Sequence, residues 1–321
     1  MRNIEIFDMI KSPLLLFLFL IGFTLSIHAQ QFSIADDKVL QTKEDTLKSL
    51  AINILQSENY EDRASADSLF TRVLVRSLKT KNSFQYPFDS LVSISRMYPA
   101  DSSFRIFTWQ LMISETKFKH HGAIQIKTAD GTLQLFPLID KSEEMKRIED
   151  TITSNLAWVG AIYYRIIQKE FEKKKCYTLI GYDELGAESS RKIMDVLQFV
   201  DGKPQFGGNF FILPNDSIKP RNPLRFVMEY KKGAGPKLNY DEELDLIVKE
   251  NLVSQTKEPD KKSTLIGDGD YDGMKWYKGK WVFVNKIFKE VTPEGNAPIP
   301  MPIKDNPETG KNKAKKKSNN K

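Results

Sequence analysis

The stretch AIQIKTADGTLQLF at Ala123–Phe136 decides the fold class, because two strand-like runs flank a turn pair within it. Apolar and polar residues alternate on both sides of Asp130-Gly131, as in strands that bury one face. Aspartate–glycine and similar pairs supply the positive backbone φ that tight hairpins require. The stretch therefore predicts an antiparallel β-hairpin.

The same signal predicts three further hairpins. Their turn residues are Asp201-Gly202, Gly233-Ala234-Gly235 and Lys278-Gly279, and the paired runs are 193–200 with 205–213, 224–230 with 237–240, and 274–277 with 281–284. Four such turns are hard to reconcile with a doubly wound parallel sheet, whose strands are joined by long crossovers. We therefore expect a mainly β fold, an antiparallel meander or a barrel-like sheet.

Three segments complete the expected β domain. Val159–Ile167 is almost continuously apolar and predicts a central strand buried on both faces. Tyr177–Tyr182 predicts another strand. Ser189–Val200 fits a helix nearly as well as a strand, and the Asp201-Gly202 turn that follows favours the strand.

One helix is expected to interrupt the sheet. Four apolar residues share a helical face after Ser142, a plausible cap: Met145, Ile148, Ile152 and Leu156. Glu143 and Glu144 would occupy the first turn, where negative charge is favourable.

Two amphipathic helices are predicted ahead of the sheet, so the overall class is α+β. Their apolar residues recur at helical spacing: Leu47, Leu50, Ala51, Ile54 and Leu55, then Leu69, Phe70, Val73, Leu74 and Leu78. A polar break at Ser57–Arg63 separates the two helices. We interpret the pair as a structural cover on the main domain, with a partner-binding surface as the alternative.

The beginning of the chain is typical of export. An uncharged run from Pro13 to Ile27 precedes His28-Ala29-Gln30. About fifteen apolar residues are short for a membrane span, which needs about twenty, but suit a signal peptide with a small residue at its cleavage site. We expect a soluble periplasmic or secreted protein, cleaved near Ala29, with uncleaved anchoring as the alternative. Translation from Met1 or from Met9 is compatible with this interpretation.

The expected domain plan has four parts. A signal peptide occupies residues 1–29, a helical segment 30–83, an antiparallel β domain 84–290, and a disordered Pro/Lys-rich tail 291–321. Because Cys176 is the single cysteine, an exported chain has no internal disulfide and stability must come from packing.

The positive charge is concentrated in the predicted tail. Seven lysines lie between Lys304 and Lys321, and they hold most of the formal net charge of +6. A nucleic-acid-binding domain usually has a basic face on its folded body, so we expect no nucleic-acid partner. We expect the tail to be a solvated terminus, with attraction to an anionic envelope surface as the alternative and no other partner indicated.

The sharpest local motif is DGDYDG at Asp268–Gly273. Asp268, Asp270 and Asp272 occupy alternate positions and glycine is sixth, as in the first half of a calcium loop. The twelfth position is Gly279, where such loops have a bidentate glutamate. We therefore predict a plain turn, with these carboxylates as the only metal candidates, and no cofactor.

The nucleophiles and bases give weaker signals. His120 and His121 are adjacent, and adjacent strand residues point to opposite faces, so one metal cannot easily use both. We expect a surface histidine near a turn, with a general base as the alternative. Cys176 follows Lys173-Lys174-Lys175, which would lower its pKa, but it opens an apolar strand and is predicted to be a small buried hydrophobe.

No catalytic constellation emerges from the sequence. The G-x-S-x-G pattern is absent, which leaves carboxylates such as Asp183 and Asp272 as candidates for an uncharacterised hydrolase. Seven aromatic residues are interpreted as core or cross-strand packing, with a carbohydrate or apolar-ligand groove as the alternative: Trp109, Trp158, Tyr163, Tyr164, Tyr182, Trp276 and Trp281.

Five segments within roughly residues 90–285 resemble a group of uncharacterised exported proteins of Bacteroidetes-type bacteria. They are Phe104–Trp109, Leu135–Asp140, Trp158–Tyr164, Tyr177–Asp183 and Tyr271–Trp276. The resemblance implies an envelope location and brings no activity and no catalytic residues. The expected function is a non-catalytic binding or structural module of the envelope, with a carboxylate hydrolase as the alternative.

Overall fold

The computed structural model describes residues 34–214 and 222–288. Within this part, helices α1 (Ile34–Gln56) and α2 (Tyr60–Leu78) precede fifteen strands. The strands are β1 Ser95–Met97, β2 Phe104–Ser114, β3 Lys117–Ile126, β4 Gln134–Ile139, β5 Thr153–Ser154, β6 Ile162–Phe171, β7 Lys174–Asp183, β8 Ser189–Val200, β9 Lys203–Phe206, β10 Phe211–Ile212, β11 Phe226–Lys231, β12 Leu238–Asp241, β13 Leu246–Ser254, β14 Leu265–Tyr277 and β15 Lys280–Val284. The predicted class is confirmed: the fold is mainly β, with two helices ahead of largely antiparallel sheets.

The strands form three sheets. The first has the order β1-β2-β3-β4 and the second the order β5-β9-β8-β7-β6, with β11 also paired to β8. The third has the order β10-β15-β14-β13-β12, in which β10 and β15 are parallel and the other pairs antiparallel.

Three of the four predicted hairpins are confirmed. The turn at Asp130-Gly131 joins β3 to β4. Asp201-Gly202 joins β8 to β9 as a two-residue turn, with φ of +50° and +73°, and this confirms β8 as a strand. Only the start of the predicted run 205–213 belongs to this hairpin, because β10 pairs with β15 in the third sheet. Lys278-Gly279 joins β14 to β15 in the same way. Consecutive positive φ values match the twist of the flanking strands.

The fourth predicted hairpin is wrong. Strand β11 pairs with β8 in the second sheet, whereas β12 pairs with β13 in the third. Gly233 and Gly235 both have positive φ, but the loop that they form carries the chain from one sheet to the next. A turn signal marks a change of direction, and it does not identify the strand that becomes the partner.

Two other local predictions are also wrong. The segment Val159–Ile167 is not a central strand, because β6 begins at Ile162 and lies at the edge of the second sheet. The expected helix after Ser142 is replaced by three 3₁₀ turns and by β5. Its carbonyl groups are engaged elsewhere: Glu149 accepts the Leu224 N–H at 2.7 Å, and Arg225 binds the Ile148 carbonyl.

The layers pack in the order helix pair, first sheet, second sheet, third sheet, with a hydrophobic core between each adjacent pair. Strand β2 separates two of these cores. Phe104 and Ile106 pack towards the second sheet, and Phe107 and Trp109 pack towards the helices. Such double burial follows from the alternation of side chains along a strand.

Most, but not all, of the predicted apolar face of each helix is buried. Leu47, Ala51 and Ile54 of α1 are buried, as are Phe70, Leu74 and Leu78 of α2, whereas Leu55 and Leu69 are exposed. Asn59 caps α2 by accepting the Asp62 N–H. Neither described helix has the length and apolar character needed to cross a membrane. The predicted signal peptide, the choice of start codon and the lysine tail lie outside the described residues.

Candidate functional site

His120 lies at the centre of a group of buried polar side chains. It lies on β3 and its side chain is only 3 % exposed, so the expectation of a surface histidine is wrong. Its Nδ1 atom is 3.4 Å from Asp140 Oδ2 and its Nε2 atom is 3.6 Å from Asp183 Oδ1. Arg191 Nε donates to Asp183 Oδ2 at 2.5 Å. We call these four residues the His120 cluster.

The sheet arrangement brings the cluster together. His120 and Asp140 belong to the first sheet and the segment that follows it, and Asp183 and Arg191 face each other on β7 and β8 of the second. Gly160 leaves the necessary space, because a Cβ atom there would lie 2.5 Å from Asp140 Oδ2 and 2.6 Å from His120 Nδ1. The cluster is therefore a polar bridge between two layers.

Asp140 is held as a carboxylate. Burial opposes its ionisation, but hydrogen bonds from His120 and Ser142 outweigh burial and lower its pKa well below the usual range. Its Oδ1 atom accepts both the Ser142 N–H at 3.0 Å and the Ser142 hydroxyl at 2.7 Å, and its Oδ2 atom accepts the His120 N–H at 3.0 Å.

The cluster has little contact with solvent. Asp140 lines a cleft of about 280 Å³ whose other charged walls include Lys117, Lys119 and Lys141, but neither His120 nor Asp183 lines it. Of the four residues of the His120 cluster, a substrate in this cleft would contact only Asp140. The side chains of the cluster are those of an acid–base relay. Their burial is that expected of a structural contact between two sheets.

The two histidines point to opposite faces of the sheet, as predicted. His121 faces α2, and its Nδ1 atom is 3.6 Å from Asp67 Oδ2. Asp67 also accepts the Trp109 indole N–H at 2.7 Å, and the Trp109 ring stacks on His121. Burial lowers the pKa of His121, although Asp67 opposes that shift.

The proposed hydrolase carboxylates lie apart. Asp183 belongs to the His120 cluster, whereas Asp272 lies on β14 of the third sheet, 3.7 Å from Lys249 Nζ. The sequence did not predict that Asp140 lies near Asp183, on the other side of His120. Only the packing of the first sheet on the second makes these residues neighbours, and no local motif contains that information.

The calcium-like motif lies inside strand β14, so the prediction of a turn is wrong. The register between β13 and β14 shifts at this point, and Gly269 has a φ of +87°. Asp268 and Asp270 are exposed, and Asp272 is buried. In the described ranges no three His, Cys, Asp or Glu side chains are arranged to hold a metal ion.

Cys176 is buried, as predicted. Burial raises the pKa of its thiol to about 12, and the opposing charge of Lys169 does not reverse this shift. Three of the aromatic residues also lie fully in the cores: Trp158, Tyr163 and Trp281. Their polar atoms are satisfied there, since Trp158 donates to the Tyr163 hydroxyl and Trp281 to the Thr178 hydroxyl, both at 2.8 Å.

A second cleft, of about 600 Å³, differs in character from the cleft beside Asp140. We call it the apolar cleft, and its walls come from the segment before and around β5 and from the β8–β9 hairpin: Met145, Thr151, Ile152, Thr153, Ser154, Ala157, Val200, Lys203, Pro204 and Gln205. Ile152 and Val200 remain 50 % and 46 % exposed there. Lys203 is the one charged wall residue and makes no ion pair with a described residue.

Buried polar contacts hold the walls of the apolar cleft in place. Arg225 binds the Ile148 carbonyl, the Thr151 carbonyl at 3.3 Å and the Thr153 hydroxyl at 3.3 Å. Thr153 pairs with Phe206, and Val200 pairs with Lys203 across the hairpin turn. Contacts within the protein itself therefore hold the walls of the cleft.

No family model, curated protein or solved structure matches the chain. The functional argument therefore rests on the side chains of the two clefts and of the His120 cluster.

Proposed function

We propose that this protein is an exported, non-catalytic envelope module that binds a ligand in the apolar cleft. The observation that carries the proposal is the cleft itself, which keeps apolar side chains in contact with water. Binding an apolar group there would remove that surface from water, which is the main driving force for association of this kind. The sequence of residues 1–29 supports the export part of the proposal.

Preformation of the cleft supports a binding role. A site whose walls are already ordered loses less conformational entropy when a ligand enters. The hydrogen bonds of Arg225 and the β8–β9 hairpin supply that order without a bound molecule.

The binding proposal is tested with the neutral fluorescent probe N-phenyl-1-naphthylamine. We expect saturable binding that Val200→Glu weakens by at least about tenfold, because the new carboxylate would have to be desolvated beside the probe. Val253→Glu is the matched control, since Val253 is 48 % exposed on β13 and does not line the cleft. Equal binding by the two variants, or no saturable binding by the parent, would refute the role of the cleft.

A carboxylate hydrolase is the second candidate, favoured by the approach of Asp140 and Asp183 to one imidazole. It ranks second because His120 is almost fully buried and a general base must reach its substrate. The test compares hydrolysis of p-nitrophenyl acetate by the parent and by His120→Gln, with circular dichroism to verify folding. Activity that a folded His120→Gln variant loses would support the hydrolase, and equal rates would exclude this role for His120.

A further inference from the structure

Resting on the proposed function, we infer that the apolar cleft binds a free long-chain carboxylate, with its apolar chain in the cleft and its anionic head at Lys203. The inference joins two observations: a mainly apolar wall and a single cation. Neither observation alone would identify the class of ligand.

The charge of the cleft selects an anion. Lys203 is exposed at the start of β9, and the walls of the cleft contain no carboxylate that would neutralise it. The cleft beside Asp140 differs, because Lys117 and Lys141 there pair with Glu143 and Glu144. An ammonium head would be repelled by Lys203, and a neutral head would leave its charge without a partner.

A hydroxyl donor accompanies the cation. Ser154 also lines the cleft, and its Oγ atom accepts the Leu156 N–H at 3.3 Å. An oxygen that accepts in this way still carries its own proton, so Ser154 has a donor available for a carboxylate oxygen. Lys203 and Ser154 together match a head group that only accepts hydrogen bonds.

The size of the cleft selects a single chain. A volume of about 600 Å³ lies within the range of sites for single small molecules, roughly 300–1,000 Å³. Each additional methylene that enters the cleft should tighten binding by about threefold to fourfold, the factor that corresponds to the free energy of burying one such group. We therefore assign the cleft to a free carboxylate and not to a membrane surface.

The experiment is displacement of N-phenyl-1-naphthylamine from the full mature chain at pH 7.5 by monomeric decanoate, 1-decanol and decyltrimethylammonium. We expect decanoate to bind at least about tenfold more tightly than 1-decanol, and decyltrimethylammonium to bind most weakly. Octanoate should be about tenfold weaker than decanoate, because it lacks two methylenes. Lys203→Met should abolish the preference for decanoate over 1-decanol.

Lys174→Met is the matched control. Lys174 is also an exposed lysine directly after a two-residue turn with positive φ, between β6 and β7, and it does not line the cleft. This variant should keep the full preference for decanoate.

The outcomes separate the two proposals. Equal binding of decanoate and 1-decanol, unchanged by Lys203→Met, would overturn the carboxylate inference while probe binding upheld the binding function. Binding to phosphatidylglycerol vesicles without displacement by decanoate would overturn it in favour of a lipid surface. Failure of the probe and of all three ligands to bind would overturn both proposals.

Discussion

Arg225 shows how one residue joins the fold to the proposed site. Its side chain and that of Asp195 are fully buried, and Arg225 Nε donates to Asp195 Oδ2 at 2.7 Å. Burial raises the pKa of Asp195, and the guanidinium opposes that shift. The same guanidinium holds the carbonyls of the segment that forms one wall of the apolar cleft.

Arg225→Met should therefore destabilise the protein and impair the cleft together. It leaves Asp195 as an unpaired buried carboxylate, which typically costs about 3–5 kcal/mol. We expect the free energy of unfolding, measured in urea, to fall by this amount. Binding of N-phenyl-1-naphthylamine should also weaken. The double variant Arg225→Met/Asp195→Leu should regain much of the stability because it removes the unpaired charge, but not the wall contacts. An Arg225→Met variant as stable as the parent would contradict this account.

The lowered pKa of Asp140 makes the free energy of unfolding depend on pH in the acid range. Its folded pKa lies below the unfolded value of about 3.9, so its contribution to the free energy of unfolding is complete above that value. The contribution is lost as the pH falls below about 4 and approaches the folded pKa. Asp140→Asn should thus be less stable than the parent by about 1–3 kcal/mol at pH 6, and the difference should shrink towards pH 2.

Asp260→Asn is the control for this titration. Asp260 is exposed, and its replacement should leave the unfolding free energy nearly unchanged at both pH values. A difference between the parent and Asp140→Asn that stayed constant from pH 6 to pH 2 would show that Asp140 is not held as a carboxylate by its neighbours.

At the scale of elements, turns were predictable and partners were not. Asp201-Gly202 and Lys278-Gly279 form the expected hairpins because the signal and its consequence lie in the same few residues. The loop at Gly233 carries a similar signal, but its strands pair with β8 and β13. The helix expected after Ser142 does not form, because Arg225 and Leu224 bind the carbonyl groups of this segment. These partners lie about 75 residues away in the sequence, so no local pattern reveals them.

Two side chains of the second sheet occupy carbonyl groups at and just before β12, the edge strand of the third sheet. The Tyr164 hydroxyl donates to the Leu238 carbonyl at 2.7 Å, and Lys192 Nζ donates to the Pro236 carbonyl at 2.6 Å. Occupied edge groups are unavailable to a strand of another chain, which protects against edge-to-edge association.

The two confirmed two-residue turns should respond differently to alanine. Gly202 has a φ of +73° and open space around its α-carbon, so Gly202→Ala should cost about 1–2 kcal/mol from backbone conformation alone. Gly279 has a φ of +78°, and a Cβ there would lie 2.7 Å from Phe171 Cδ1. Gly279→Ala should lower the free energy of unfolding, measured in urea, by more than Gly202→Ala does. Phe171→Ala should relieve the excess, because it removes both Cδ1 and the Cγ atom that would lie 2.9 Å from the new Cβ. Equal costs for the two alanine variants would disprove the contact.

At the scale of the whole described unit, residues 34–214 and 222–287, polar contacts accompany every hydrophobic core. Trp109 binds Asp67 between the first sheet and α2, the His120 cluster joins the first sheet to the second, and Trp281 binds Thr178 between the third sheet and the second. The helix pair and most strands were legible in the sequence as helical or alternating periodicity, whereas the division of the strands into three sheets was not. The order of the layers was not legible either, because it depends on which apolar faces meet.

Shared strands should make these layers unfold together. Strands β2, β7 and β8 each supply side chains to two cores: Phe104 and Phe107, Leu179 and Ile180, and Ile193 and Met194. Loss of one core would expose apolar surface on a strand that the next core still needs. A single cooperative transition follows from this sharing.

The tryptophans provide a reporter for each core. Trp109 lies in the core beneath the helices, Trp158 in the core between the first and second sheets, and Trp281 in the core beside the third sheet. Three variants that each retain one of these residues, with the other tryptophans replaced by phenylalanine, should each give a fluorescence transition coincident with circular dichroism of the same variant. Leu47→Ala, which opens a cavity under α1, should cost about 2–5 kcal/mol and lower the urea midpoint by all three reporters. A shift confined to the Trp109 reporter would show that the helix pair unfolds as a separate unit.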